Sequence, residues 1–175
     1  MYEIAKQFDF CYGHRVWSQQ LNKEFSIDSC LACRHLHGHQ GTIIVYLKGE
    51  ELTDGMVTDF KHLGWFKKWL DDTLDHKFIM DFYDPLLPYE IPHLKELGPL
   101  FLHEEGHLTL QNYSHLPAPV REKYDGMVLV RFVPTSENLS QWIHSVIQKK
   151  MSKLNVTVSR VQFYETPKSQ SNYYL

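Results

Sequence analysis

Two runs of apolar residues at three- and four-residue steps constrain the fold of this chain more than any other feature. Phe60, Leu63, Phe66, Leu70 and Leu74 form the first run, with Lys67 its one polar member, and Leu139, Trp142, Ile143, Val146, Ile147 and Met151 form the second. Each draws a single apolar stripe along a helix, and such a stripe must be buried against another layer. Asp59 is a fitting N-cap for the first helix, which should end near Asp75-His76, and Pro134-Thr135-Ser136 leads into the second. The facing layer is written at period two. Residues 2–12 mix branched and aromatic with polar residues, 42–47 is a β-branched run, and 127–130 and 156–163 read as further strands. Residues 56–58 are expected to extend a hairpin after a turn-rich link at 51–55. The order strand, strand, helix, strand, helix, strand predicts an α+β fold, an antiparallel sheet with helices on one face.

At 175 residues the chain suits one domain, 1–175, with a substantial core. Residues 18–36 lack periodicity and are read as loop. Pro85, Pro88, Pro92, Pro99, Pro117 and Pro119 mark about 82–125 as a long, mostly irregular insertion with a short helix near 91–97. A formal net charge of −3 gives no bulk electrostatic case for nucleic acid or an anionic membrane surface. No apolar run approaches the roughly 20 residues of a membrane-spanning helix, and residues 1–10 alternate like a strand rather than a signal-peptide core. Three cysteines, Cys11, Cys30 and Cys33, do not make a disulfide framework. These features predict a cytoplasmic protein whose cysteines serve metal binding or catalysis.

The eleven histidines are unevenly placed. His37 and His39 are two apart, so on an extended segment both imidazoles point to the same side. His14, at the end of the first strand, is a candidate third ligand. Three neutral imidazoles with an open fourth position are a catalytic zinc arrangement; the plainer alternative is surface histidines, one of them satisfying a turn. Cys33 lies just upstream, where positive charge favours a thiolate able to act as base or nucleophile. Cys30 and Cys33 also form a C-x-x-C, a redox pair or half of a zinc finger, but no second pair accompanies it. Asp75-His76 is either an oriented imidazole or a histidine that suits a helix C-terminus. Glu165, in Tyr164-Glu165-Thr166-Pro167, is either an exposed strand-end carboxylate or an acceptor for a planar N–H/NH2 edge such as a guanine or pterin presents. A rival stands in the insertion. His103-Glu104-Glu105-Gly106-His107 fits H-E-x-x-H, a zinc-hydrolase signature that works only on a helix, yet Gly98-Pro99 before it and Gly106 inside it give poor helical support.

Taken in order, these pieces resemble the 6-pyruvoyl-tetrahydropterin synthase superfamily. Residues 10–14 look like its first zinc-histidine strand, His37-Gly38-His39 like its H-G-H pair, and Leu74-Asp75-His76 like its L-D-H helix end. Pro134-Thr135-Ser136-Glu137-Asn138-Leu139 looks like its P-T-x-E-N-L helix start, and Glu165-Thr166-Pro167 like its substrate-anchoring motif. The matches span nearly the whole chain, and the insertion has no counterpart in the short members.

The resemblance implies a tunnelling fold, a four-stranded antiparallel sheet with two helices on one face. It implies a homo-oligomer, hexamer or tetramer, with active sites at subunit interfaces. It assigns zinc to His14, His37 and His39, general-base chemistry to Cys33, and a proton relay to Asp75 and His76. The pterin ring falls to Glu165, assisted by main chain around Thr135 and Ser136. The branch most resembled is the 6-carboxy-tetrahydropterin synthases of queuosine biosynthesis, which turn 7,8-dihydroneopterin triphosphate into 6-carboxy-tetrahydropterin with loss of acetaldehyde and triphosphate. Two features favour it: only Arg34, His35 and Leu36 separate Cys33 from His37, and Pro167 follows Thr166. The alternatives are 6-pyruvoyl-tetrahydropterin synthase, which eliminates triphosphate and keeps the side chain, a tunnelling-fold protein that binds a pterin or purine without turnover, and the H-E-x-x-H zinc hydrolase.

Overall fold

The computed structural model describes residues 1–175. In chain order the elements are β1 (Tyr2–His14), β2 (His37–Gly49), α1 (Gly64–Thr73), β3 (Lys77–Asp81), α2 (Leu87–Glu90), β4 (Phe101–Leu102), β5 (Leu108–Thr109), α3 (Ala118–Asp125), β6 (Met127–Val130), α4 (Ser136–Met151), β7 (Thr157–Thr166) and β8 (Ser169–Tyr174). Short 3-10 turns occupy Ala32–Arg34, Phe60–Leu63 and Ser152–Leu154. The strands hydrogen-bond in the order β4-β5-β6-β3-β1-β2-β7-β8. The α+β class is as expected, but the sheet is eight-stranded and mixed rather than four-stranded and antiparallel: β1–β3 and β3–β6 are parallel, β2–β7, β7–β8 and β5–β6 antiparallel. Two of the extra strands were masked for physical reasons. β3 is a five-residue run that follows α1 without a glycine or proline to announce it. β8 is Ser-Gln-Ser-Asn-Tyr-Tyr, held by its ladder to β7 and not by an apolar alternation.

The chain divides into two compact units. One comprises Met1–Cys11, His39–Asp75 and Ser136–Leu175, the other Tyr12–Gly38 and His76–Thr135. In the first, α4 buries Leu139, Ile143, Val146, Ile147 and Met151, its expected stripe, against β7 and β8. Full burial of each such side chain contributes on the order of 1.5–3 kcal/mol. Trp142 meets Trp69 of α1 edge-on at 5.5 Å, and Phe66 of α1 meets Phe8 of β1 edge-on at 4.9 Å. Asp59 does cap, its Oδ1 accepting the Lys61 N–H at 2.7 Å, but what it caps is the 3-10 turn that runs into α1. The expected strand at 56–58 reduces to one bridge between Thr53 and Met56.

Outside α2, β4, β5 and α3, residues 82–125 are turn and loop, as the prolines suggested, yet the segment is packed around a core of its own. Leu87, Ile91, Leu97, Leu108, Leu110 and Tyr124 bury themselves with Met80 of β3 and with Met127 and Leu129 of β6 in one apolar cluster. The short helix falls at Leu87–Glu90, before the expected 91–97. Two of the six prolines open helices: Pro88 and Pro119 sit in the first turns of α2 and α3, where the missing N–H costs nothing. The H-E-x-x-H run is not helical. It closes the β4–β5 hairpin, with the His103 N–H donating to the His107 carbonyl at 2.9 Å and Gly106 at φ +93°. Its two imidazoles stack face to face at 4.0 Å. The i, i+4 helical geometry that a zinc hydrolase of this kind needs is absent.

Candidate active site

The buried face of β1 reads Phe8, Phe10, Tyr12, His14, so the histidine arrives in the core register of the strand and is fully buried. The inward face of β2 is His37, His39, Gly41, Ile43, Val45 and Leu47. The same alternation that packs the core therefore aims His37 and His39 to one side, as their spacing predicts. His14 and His37 stand with ring centroids 4.5 Å apart. The ligand atoms of His14, His37 and His39 all lie within 4.8 Å of one another.

Hydrogen bonds fix which nitrogens face inward. The Nδ1 of His14 lies 2.7 Å from the Pro134 carbonyl, and the Nδ1 of His37 lies 2.7 Å from the His35 carbonyl. A carbonyl only accepts, so each Nδ1 carries the hydrogen, and each neutral ring keeps its lone pair on Nε2. Carbonyl-oriented imidazoles of this kind are how metal-binding histidines are held. The donor set suits a zinc-type ion. Two glycines allow the close approach. A Cβ on Gly38 would stand 2.9 Å from the Tyr12 carbonyl, and one on Gly13 would stand 2.5 Å from the Phe78 ring. The middle residue of His37-Gly38-His39 is thus set by strand contact.

Glu165 lies at the end of β7, with Oε1 3.7 Å from His39 Nε2. Ser136 opens α4, its hydroxyl donating to Glu137 at 3.3 Å, while the Thr135 N–H donates to the Val133 carbonyl at 2.8 Å. Cys33 occupies the 3-10 turn before β2 and is half-buried, whereas Cys11 and Cys30 are exposed.

Asp75 and His76 belong to a second group, completed by a residue the sequence reading left unassigned. The ligand atoms of Cys11, Asp75 and His76 lie within 4.8 Å of one another, and Asp75 Oδ1 accepts the Cys11 N–H at 2.7 Å. The available signal was alternation, since Cys11 lies between Phe10 and Tyr12 and must face away from them.

An α+β fold with three converging histidines is compatible with a metal-dependent enzyme, and comparison with known proteins identifies the family. The sequence profile described as 6-pyruvoyl tetrahydropterin synthase matches residues 3–174. The chain belongs to the 6-pyruvoyl tetrahydropterin synthase family. It is 30% identical to the 6-carboxy-5,6,7,8-tetrahydropterin synthase of Aquifex aeolicus, over 98% of this chain and 97% of that one. The enzyme of the same description from Rickettsia felis is 26% identical over 95% of this chain and 96% of its own. Among solved structures, an uncharacterised protein from Wolinella succinogenes superposes with a TM-score of 0.95 at 51% identity, covering 99% of this chain and 97% of that one. The 6-pyruvoyl tetrahydropterin synthase of Caenorhabditis elegans shares the fold at a TM-score of 0.58 and 21% identity, covering 99% and 95%. No helix is long and apolar enough to cross a membrane.

Proposed function

We propose that this protein is a zinc-dependent 6-carboxy-5,6,7,8-tetrahydropterin synthase acting in the cytoplasm in queuosine or other 7-deazapurine biosynthesis. The reaction takes 7,8-dihydroneopterin triphosphate and water to 6-carboxy-5,6,7,8-tetrahydropterin, acetaldehyde and triphosphate. The observation that carries this reading is the close trio of His14, His37 and His39, the first two oriented by carbonyls, with only three residues between Cys33 and His37. The names of the Aquifex and Rickettsia relatives support it.

When bound by the three histidines, zinc supplies Lewis acidity to the side-chain hydroxyls of the substrate. The Sγ of Cys33 takes a proton from a side-chain carbon. His76 returns one through a ring nitrogen, with the Asp75 carboxylate, fixed by the Cys11 N–H, beside it. Glu165 accepts two hydrogen bonds from the pterin edge, with main chain around Thr135 and Ser136 assisting. The active form is a homo-oligomer in which a neighbouring subunit supplies Asp75 and His76.

Incubating the purified protein with 7,8-dihydroneopterin triphosphate and weighing the products tests the reading. Acetaldehyde and 6-carboxy-tetrahydropterin are expected. A product that keeps its three-carbon side chain, with triphosphate released, would place the protein with the 6-pyruvoyl enzymes.

A further inference from the structure

The segment that leaves β1 after His14 is tied down far more heavily than a connecting loop requires. On one side, Arg15 Nε pairs with Asp84 Oδ2 at 3.0 Å, and the Asp84 side chain is only 1% exposed. Trp17 Nε1 donates to Asp81 Oδ2 at 2.9 Å. Both carboxylates are themselves fixed, Asp81 Oδ1 by the Tyr83 N–H at 3.0 Å and Asp84 Oδ1 by the Leu86 N–H at 2.8 Å. These acids stand at the end of β3 and the start of the 82–125 segment, whose apolar cluster includes Met80, Leu87 and Ile91. The tie therefore runs to a packed body.

On the other side, the same segment grips Cys33. The Val16 N–H donates to the Cys33 carbonyl at 2.7 Å. The Cys33 N–H donates to Gln19 Oε1 at 3.0 Å, and Arg34 Nε donates to the Gln19 carbonyl at 2.9 Å. Gln19 is folded back in turn, its N–H donating to the Val16 carbonyl at 3.1 Å. Cys33 thus has both main-chain groups held by residues 16–19, and those residues are anchored next to two buried carboxylates. Cys30, three residues upstream, has only the local turn of Asp28 for its N–H, at 2.8 Å, and its side chain is exposed.

We propose that Gln19 is a positioning residue for the Cys33 thiol, and that Trp17–Asp81 and Arg15–Asp84 are the braces that make its grip rigid. The 82–125 segment thereby gains a task, holding the thiol-bearing turn in place. The catalytic consequence rests on the reading of Cys33 as the reacting thiol; the positioning itself does not. A displacement of about 1 Å at a reacting group can cost roughly 10²-fold in rate.

The test uses the full chain and three variants, Gln19→Ala, Gln19→Glu and Trp17→Phe. The first readout is the alkylation rate of each cysteine by iodoacetamide, resolved by peptide mass, above the ordinary thiol pKa of about 8.5, where exposure rather than thiolate fraction sets the rate. Cys11 and Cys30 are internal controls. In Gln19→Ala and Trp17→Phe, Cys33 should react roughly 10-fold faster, approaching Cys30, while the controls hold. Gln19→Glu keeps an acceptor for the Cys33 N–H and should restore the original rate. The second readout is turnover of dihydroneopterin triphosphate, where kcat should fall roughly 10- to 100-fold with KM little changed. Unchanged Cys33 alkylation in both Gln19→Ala and Trp17→Phe overturns the proposal. So does an equal rise at all three cysteines, which marks general loosening. A fully active Cys33→Ala protein would sink the catalytic reading alone, leaving the alkylation result to decide the positioning.

Discussion

His76 has a backbone φ of +57°, in the left-handed region that costs a side-chain-bearing residue about 1–2 kcal/mol. The cause is local. The Leu74 and Asp75 N–H groups both reach back to the Leu70 carbonyl, which closes α1 and forces the next residue to reverse the chain into β3. Glycine is the usual occupant of such a position. Holding an imidazole there is an outlier of the kind found at working sites. His76→Gly should raise the unfolding free energy by up to about 1 kcal/mol and still abolish turnover. His76→Asn, which tolerates this backbone, should leave thermal unfolding nearly unchanged while kcat falls on the order of 10²–10⁴-fold. An active and stabilised His76→Gly protein would reduce the residue to a helix terminator. A second residue-scale expectation separates the two histidine pairs. His37→Ala should lose bound zinc and activity, whereas His103→Ala should keep both, as metal analysis and turnover would show. At this scale the sequence reveals ligands whose orientation follows from strand alternation, as at His37 and His39. It hides what depends on partners distant in the chain, such as the Pro134 carbonyl on His14 or Cys11 beside Asp75.

Among the elements, the two amphipathic stripes were legible, because α1 and α4 bury most of the faces their periodicity draws; the exception is Phe60, which is exposed in the 3-10 turn before α1. The short strands were not. β3 is held by ladders to the remote β1 and β6, and β4, β5 and β8 by hairpin ladders, while two to six residues carry too little pattern to declare themselves. The β4–β5 hairpin has a measurable consequence. Burial, and then the neighbouring His103, push the His107 imidazole down to about 4 from its ordinary value near 6.5. The folded state thus holds His107 neutral where the unfolded chain already binds a proton. Its full contribution is present above about pH 6.5, is lost progressively as the pH falls toward 4, and changes no further below that. The loss is at most about 3 kcal/mol, and hydrogen exchange or urea unfolding at pH 7, 5.5 and 4.5 should show it. His107→Leu removes the titrating group and should flatten this pH dependence. An unchanged pH dependence in that variant would assign the acid sensitivity elsewhere.

At the scale of the whole molecule, the proposed function draws on more than one chain. His14, His37 and His39 form one group and Cys11, Asp75 and His76 another. In the proposed function a neighbouring subunit brings its Asp75 and His76 to the Cys33 of the first. Symmetric oligomers repeat one such contact around the ring, so every site draws one residue set from each of two chains. This arrangement predicts complementation between two dead proteins. A Cys33→Ala chain still offers His76, and a His76→Asn chain still offers Cys33. In an equal mixture assembled at random, roughly a quarter of the sites pair an intact Cys33 with an intact His76, so turnover should recover to about that fraction of the unmodified enzyme. The two chains, carrying different tags, are co-expressed, purified through both tags and assayed for acetaldehyde release from dihydroneopterin triphosphate. The same variants mixed after assembly, without subunit exchange, should stay inactive and serve as the control. If both residues act within one chain, no mixture contains a complete site, and the co-expressed assembly will be as inactive as its parents.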